Sequence, residues 1–182
     1  MADGLSGPPL WSRTIGLGDL ARGPVTLELE ADGSVRQAIA RELGLDRLDS
    51  LTARVTASAW LDGAQIDGRL NARMTLICSL SGEPFEDELS SSFHLRAVPA
   101  GSPAAPVTDS EEIDLDPEGE DPPDVLETDR IDLAAYVVEH LTLEIDPFPR
   151  KPGAVFTPPQ DEGPISPFAV LAEFRRDKSS ED

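Results

Sequence analysis

Between residues 51 and 98 the chain alternates apolar and polar side chains through three successive stretches, and the phase of that alternation ties all three to one sheet. In LTARVTASAWL (51–61) the apolar positions are odd: Leu51, Val55, Ala57, Ala59 and Leu61. In AQIDGRLNARMTLICSL (64–80) they are even: Ile66, Leu70, Ala72, Met74, Leu76, Cys78 and Leu80. In PFEDELSSSFHLRAV (84–98) they are odd again: Phe85, Leu89, Phe93 and Leu95. Side chains two apart share one face of a strand, so each stretch predicts a strand with one apolar face. Asp62-Gly63 is a two-residue hairpin signal, pairing positions whose numbers sum to 125. SGEP at 81–84 pairs positions summing to 165. Either sum sets an odd position opposite an even one. Both turns therefore bring the three apolar sets to one face of an antiparallel meander, as register requires.

The opposite face then carries Arg54, Arg69, Arg73 and Arg96, with Trp60, Asn71 and His94 among them. The second turn as read sets Arg69 opposite Arg96, an unfavourable like-charge pair unless an anion lies nearby. Outward strand positions must be polar in any case, so a solvated face is one reading. The other is a phosphate-binding surface, with bidentate arginine contacts and Trp60 available for stacking.

Around the meander, VTLELE (25–30) alternates as a short strand. DGSVRQAIARELGL predicts a helix capped by Ser34 or Asp32, with Val35, Ala38, Ile39 and Leu43 inward and Gly44 as its stop. Asp129 is read as the N-cap of a helix over RIDLAAYVVEHLTLEI, with Ile131, Ala135, Val138, Leu141 and Ile145 on its apolar face. Pro147 and Pro149 end it. A last helix is predicted over SPFAVLAEFRR, with Ser166 as N-cap and Pro167 at its first position. The predicted architecture is α+β: an antiparallel meander with helices packed on one face and a long acidic loop insertion. Residues 1–98 and 130–182 are expected to pack as one domain around segment 99–129.

That segment holds 11 acidic and no basic side chains, more than half of the net charge of −20. Its proline, glycine and acidic content reads as loop or disorder. Residues 109–129 could fold over the arginine face and screen Arg69 and Arg96 when RNA is absent. Against this acidity, LEIDPFPRKPGAVF holds Arg150 and Lys151 between Pro149 and Pro152. Fixed proline backbone angles leave little entropy to lose when such a cation pair meets a phosphate or an acidic surface. Alternatively the strap only caps the preceding helix and Phe148 plugs into the core.

Catalytic and metal signatures are sparse. Cys78 is the one cysteine, expected as a buried structural thiol, and its presence alone excludes an internal disulfide. Cys78, His94 and His140 are too few and too far apart for a structural zinc site. No Walker, Rossmann or GxSxG pattern occurs, and no cofactor is expected. No apolar run is long enough to span a membrane, and the N-terminus does not read as a secretory signal. With a single cysteine, the expected compartment is a reducing cytoplasm.

GRLNARMTLICSLSGEPFEDEL, then an acidic gap, then DRIDLAAYVVEHLTLEIDPFPRKPG, then SPFAVLAEF resemble the DUF177 family, the YceD-like large ribosomal RNA subunit accumulation proteins. The likeness covers roughly residues 12–176 and is in the alphaproteobacterial style of the family. Many relatives place C-x-R-C at the first motif and more cysteines near the C-terminus. Here CSLS and the proline strap replace them, so a metal role is not carried over. The resemblance implies a non-catalytic factor supporting 23S rRNA accumulation and large-subunit assembly, binding precursor RNA or an assembly partner. Candidate contacts are Arg54, Arg69, Arg73, Arg96, Arg150 and Lys151. Three rival readings are an acidic adaptor that holds a basic ribosomal protein without touching RNA, a hydrolase built around His94 or His140, and a purely structural partner domain.

Overall fold

A computed structural model describes residues 9–106 and 121–156. Residues 109–120 of the proposed acidic screen, the predicted helix over 166–176 and the chain end lie outside them. In chain order the elements are β1 (Thr14–Gly16), a 3-10 helix (Leu17–Arg22), β2 (Val25–Glu30), α1 (Gly33–Glu42), β3 (Arg47–Trp60), β4 (Gly63–Ile77), β5 (Pro84–Pro99), β6 (Asp124–Leu126), β7 (Arg130–Asp132) and α2 (Leu133–Glu144). A five-stranded sheet runs in the order β2-β3-β4-β5-β6, and β1 pairs with β7 as a separate two-stranded sheet. All pairings are antiparallel except β5–β6, which is parallel.

The alternation in the sequence sorts the faces of the large sheet. Leu51, Val55, Ala57, Ile66 and Leu70 are fully buried, while Thr52, Arg54, Arg69 and Asn71 between them are exposed. Burying a side chain such as Leu or Ile contributes about 1.5–3 kcal/mol. The core on this face is closed by Ile39 and Ala40 of α1, by Leu133, Ala134, Val137 and Leu141 of α2, and by Trp11, Ile15 and Leu20 of the N-terminal segment. Gly68 leaves room for a ring: a Cβ there would lie 2.2 Å from Cζ of Phe93, so the aromatic side chain fills the place of the missing one. His140 of α2 packs against the same ring, with centroids 4.9 Å apart.

Both turns differ from the expected register, each by an even number. Trp60 faces Gly63, so Leu61 and Asp62 form the first turn and the pairs sum to 123 rather than 125. Leu61 takes the left-handed backbone (φ 50°). Gly63 is instead needed for close approach, since a Cβ there would lie 2.1 Å from the Ala97 carbonyl oxygen. At the second turn Ile77 faces Pro84, so the pairs sum to 161 rather than 165. The chain folds back earlier because Cys78 and Glu83 continue the ladder, the Cys78 amide bonding the Glu83 carbonyl at 2.9 Å. Gly82 (φ 70°) then closes the loop onto the Cys78 carbonyl. Even shifts keep every side chain on its face but change its neighbour.

Two further expectations are corrected. Residues 130–132 are strand, paired with Thr14–Gly16, and α2 starts only at Leu133. Its N-cap is Asp132, which accepts from the amides of Ala134 and Ala135, in place of Asp129. Consequently Leu133, Val137 and Leu141 are buried, whereas Ala135, Val138 and Ile145 are half-buried. LAAYVV is apolar almost all round, so its pattern alone does not select a face. Within the stretch read as loop, Asp124–Leu126 forms β6 at the sheet edge. For α1 the cap is Asp32, whose carboxylate accepts from Ser34 and Val35. Gly44 (φ 66°) ends it, with Leu45 N–H reaching the Ala40 carbonyl in a Schellman arrangement.

Candidate nucleic-acid interface

Register places the outward side chains in rows across the sheet. Glu28, Arg54, Arg69 and Ser92 form one row. Toward the β3–β4 turn the next rows are Thr26, Thr56, Asp67 and His94, then Ser58, Gln65 and Arg96. In the other direction come Glu30, Thr52, Asn71 and Ser90, then Ser50, Arg73 and Glu88. The four arginines read from the sequence therefore share one face. Arg69, however, lies opposite Arg54 and Ser92, and Arg96 lies opposite Gln65; the expected Arg69–Arg96 apposition is replaced.

Most of these cations have partners. Arg54 pairs with the Glu28 carboxylate, and Arg73 with Glu88 at 2.8 Å. The Arg96 guanidinium lies over the Trp60 ring, 4.8 Å from its centroid. Arg69 makes no hydrogen bond or ion pair among the described residues, although it is exposed beside Arg54. Asp67 accepts from His94 Nδ1 at 2.8 Å, and that bond holds its carboxyl below the usual range. Two grooves flank the Arg54–Arg69 pair. One, of about 500 Å³, is lined by Glu28, Glu30, Thr52 and Asn71 with the two arginines. The other, of about 380 Å³, is lined by Thr56, Asp67, Ser92 and His94 with the same two. Hydroxyl, amide and imidazole groups share these grooves with the carboxylates of Glu28, Glu30 and Asp67, so Arg69 is a guanidinium without an ion-pair partner among the described residues in a setting of mixed charge.

The strap sits at the far end of β4. The Ser79 amide donates to the Pro149 carbonyl at 2.8 Å, and Lys151 Nζ pairs with Glu83 at 3.0 Å. Arg150 is exposed and makes no such contact among the described residues. Of the expected cation pair, one charge is therefore already matched. Phe148 does not plug the core: it is 70% exposed.

The strap also meets Cys78, whose environment the sequence did not disclose. Its thiol is buried, outside the main apolar cluster, and is lowered to about 7. The Ser81 hydroxyl is the largest cause, followed by the backbone amide of Lys151, then those of Ser81 and Leu80, against an opposing effect of burial. Donors from a tight turn and a proline strap converge on one sulfur, a long-range arrangement invisible to strand periodicity.

His140 does not form a nucleophile relay with Ser91 and Glu144. His140 Nε2 lies 3.2 Å from Ser91 Oγ and 3.4 Å from Glu144 Oε1, so both neighbours share one ring nitrogen. A Ser–His–acid relay needs the carboxylate on the other nitrogen. Among the described residues no group of three or more His, Cys, Asp and Glu could hold a metal ion, and no helix is long and apolar enough to cross a membrane.

Comparison with known families adds one result. The profile described as "Large ribosomal RNA subunit accumulation protein YceD" matches residues 66–175. This span runs from β4 through the strap and includes Arg69, Arg73, Arg96, Arg150 and Lys151. No curated protein and no solved structure matches the chain.

Proposed function

Because the chain belongs to the YceD family of large ribosomal RNA subunit accumulation proteins, we propose that it is a non-catalytic cytoplasmic factor that binds precursor 23S rRNA on the polar face of its sheet. The role in large-subunit rRNA accumulation comes with the family. One observation carries RNA contact at this face: Arg69, exposed between Arg54 and Ser92, makes no ion pair among the described residues, with Asn71 and Asp67 on either side of it along β4. Such an arginine is suited to bidentate phosphate contact. Arg150 on the strap is a second candidate contact at the far end of β4.

The test is crosslinking of the protein in cells followed by sequencing of the attached RNA, for the native chain and for Arg69→Glu. Enrichment of 23S precursor that is lost on charge reversal supports the assignment. Recovery of a basic ribosomal protein without rRNA would replace it with the acidic adaptor, to which a net charge of −20 is suited.

A further inference from the structure

We infer that the polar face takes one extended single strand of RNA, laid along β4, with a phosphate at Arg69 and a base stacked on the Arg96–Trp60 pair. This rests on the RNA-binding role proposed above and specifies the form of RNA.

Three features lead to it. The first is alignment. From Arg69 toward the β3–β4 turn, successive outward rows present His94, Arg96 and then Trp60. Each row advances about 6.6 Å, comparable with a nucleotide repeat in an extended strand, so Arg69 and the Arg96 row are roughly 13 Å apart. That leaves room for the two or three bases that an open sheet surface reads. The second is the stack itself. Arg96 and Trp60 are half-buried, and a planar guanidinium over an indole is the kind of surface on which an unpaired base stacks, whereas bases inside an A-form duplex are already stacked and cannot reach it.

The third is charge. The face carries Arg54, Arg69, Arg73 and Arg96, but also Glu28, Glu30, Asp67 and Glu88 in the same rows. Such a balanced surface has little general attraction for the dense charge of a duplex. It suits a ligand held by a few directed contacts. Asn71, Ser90 and Ser92 flank Arg69 for phosphate or ribose hydroxyl oxygens, and His94, held at Nδ1 by Asp67, keeps Nε2 out of that bond.

The experiment is fluorescence anisotropy with a labelled, unstructured pyrimidine oligoribonucleotide and with the same strand annealed to its complement. Expected is single-strand binding at least about tenfold tighter than duplex binding, given the contribution of base stacking. Arg69→Gln should weaken it and flatten its salt slope by about 0.7. Trp60→Leu should weaken it several-fold, with Trp60→Phe restoring part of the loss. Arg41→Gln on α1, an equal change in charge away from the face, should leave it unaltered. Duplex binding as tight as single-strand binding, or RNA binding indifferent to Arg69→Gln and Trp60→Leu, overturns this geometry and leaves the RNA-binding role standing. Absence of binding to either probe overturns both.

Discussion

Arg54 and Arg69 stand directly opposite each other on β3 and β4, and in their row only one carboxylate, Glu28, is present, bound to Arg54. Like charges directly opposite on a sheet are destabilising by a few tenths to about 1 kcal/mol. Arg69→Gln is therefore expected to raise stability by that amount at low salt, with the gain shrinking as salt screens the pair. Glu28→Gln should do the reverse and, by removing a competing anion, tighten RNA binding. Urea midpoints at two ionic strengths check both. A side chain whose removal stabilises the fold but weakens binding is the expected signature of a functional site.

Gly63 and Gly68, the two glycines of β4, should respond unequally to alanine. At Gly68 the clash is with the Phe93 ring, which can turn aside, so a cost of about 1–3 kcal/mol is expected. At Gly63 the clash is with the Ala97 carbonyl, which cannot move without shifting β5, so the loss should be larger. Gly18→Ala, with nothing within 4 Å, serves as the control. Equal midpoints for the two sheet variants in urea would contradict this account.

The Cys78 thiol should titrate near 7, seen as thiolate ultraviolet absorption against pH, and Ser81→Ala should move it back toward its ordinary value of 9.0. The linkage has a definite sign. Between about 7 and 9 the unfolded chain still holds a proton that the native thiol has released. Stability from this group is complete above the unfolded value and is lost as pH falls through the native one. Relative to Cys78→Ser, the native protein should gain stability from pH 7 to pH 9; a loss over that range would count against the amide cradle.

Asp132 does two jobs: it caps α2 and accepts the Arg13 amide at 2.8 Å. Asp132→Ala should cost about 1–2 kcal/mol. Asp129→Ala, at the position the sequence suggested as the cap, should change stability by no more than about 0.5 kcal/mol. Thermal unfolding of the two variants separates the two assignments.

Much of the fold was legible because strand side chains repeat every two residues. Val25–Glu30, the three long strands, the helix capped by Asp32 and the common face of Arg54, Arg69, Arg73 and Arg96 all follow from local pattern. The helix after residue 129 was less legible. Its first residues, Arg130–Asp132, can join a helix or a strand, and pairing with Thr14–Gly16, far away in the chain, makes them strand. The backbone amides offered by Leu17 and Leu133 to the Asp129 and Arg13 carbonyls secure that arrangement. No local signal reports such a partner.

The sequence by itself determined which side chains share a face, because parity survives any even slip of register. Only the tertiary structure decided which of them touch. Leu61–Asp62 took the turn and left Gly63 to make room for the Ala97 carbonyl, while the Cys78–Glu83 bond drew β5 back along β4. The close approach of Gly63 to Ala97 across the sheet and the backbone bond that closes the second turn put Arg69 opposite Arg54 and Ser92 rather than Arg96, and so placed a cation without an ion-pair partner among the described residues on the exposed face.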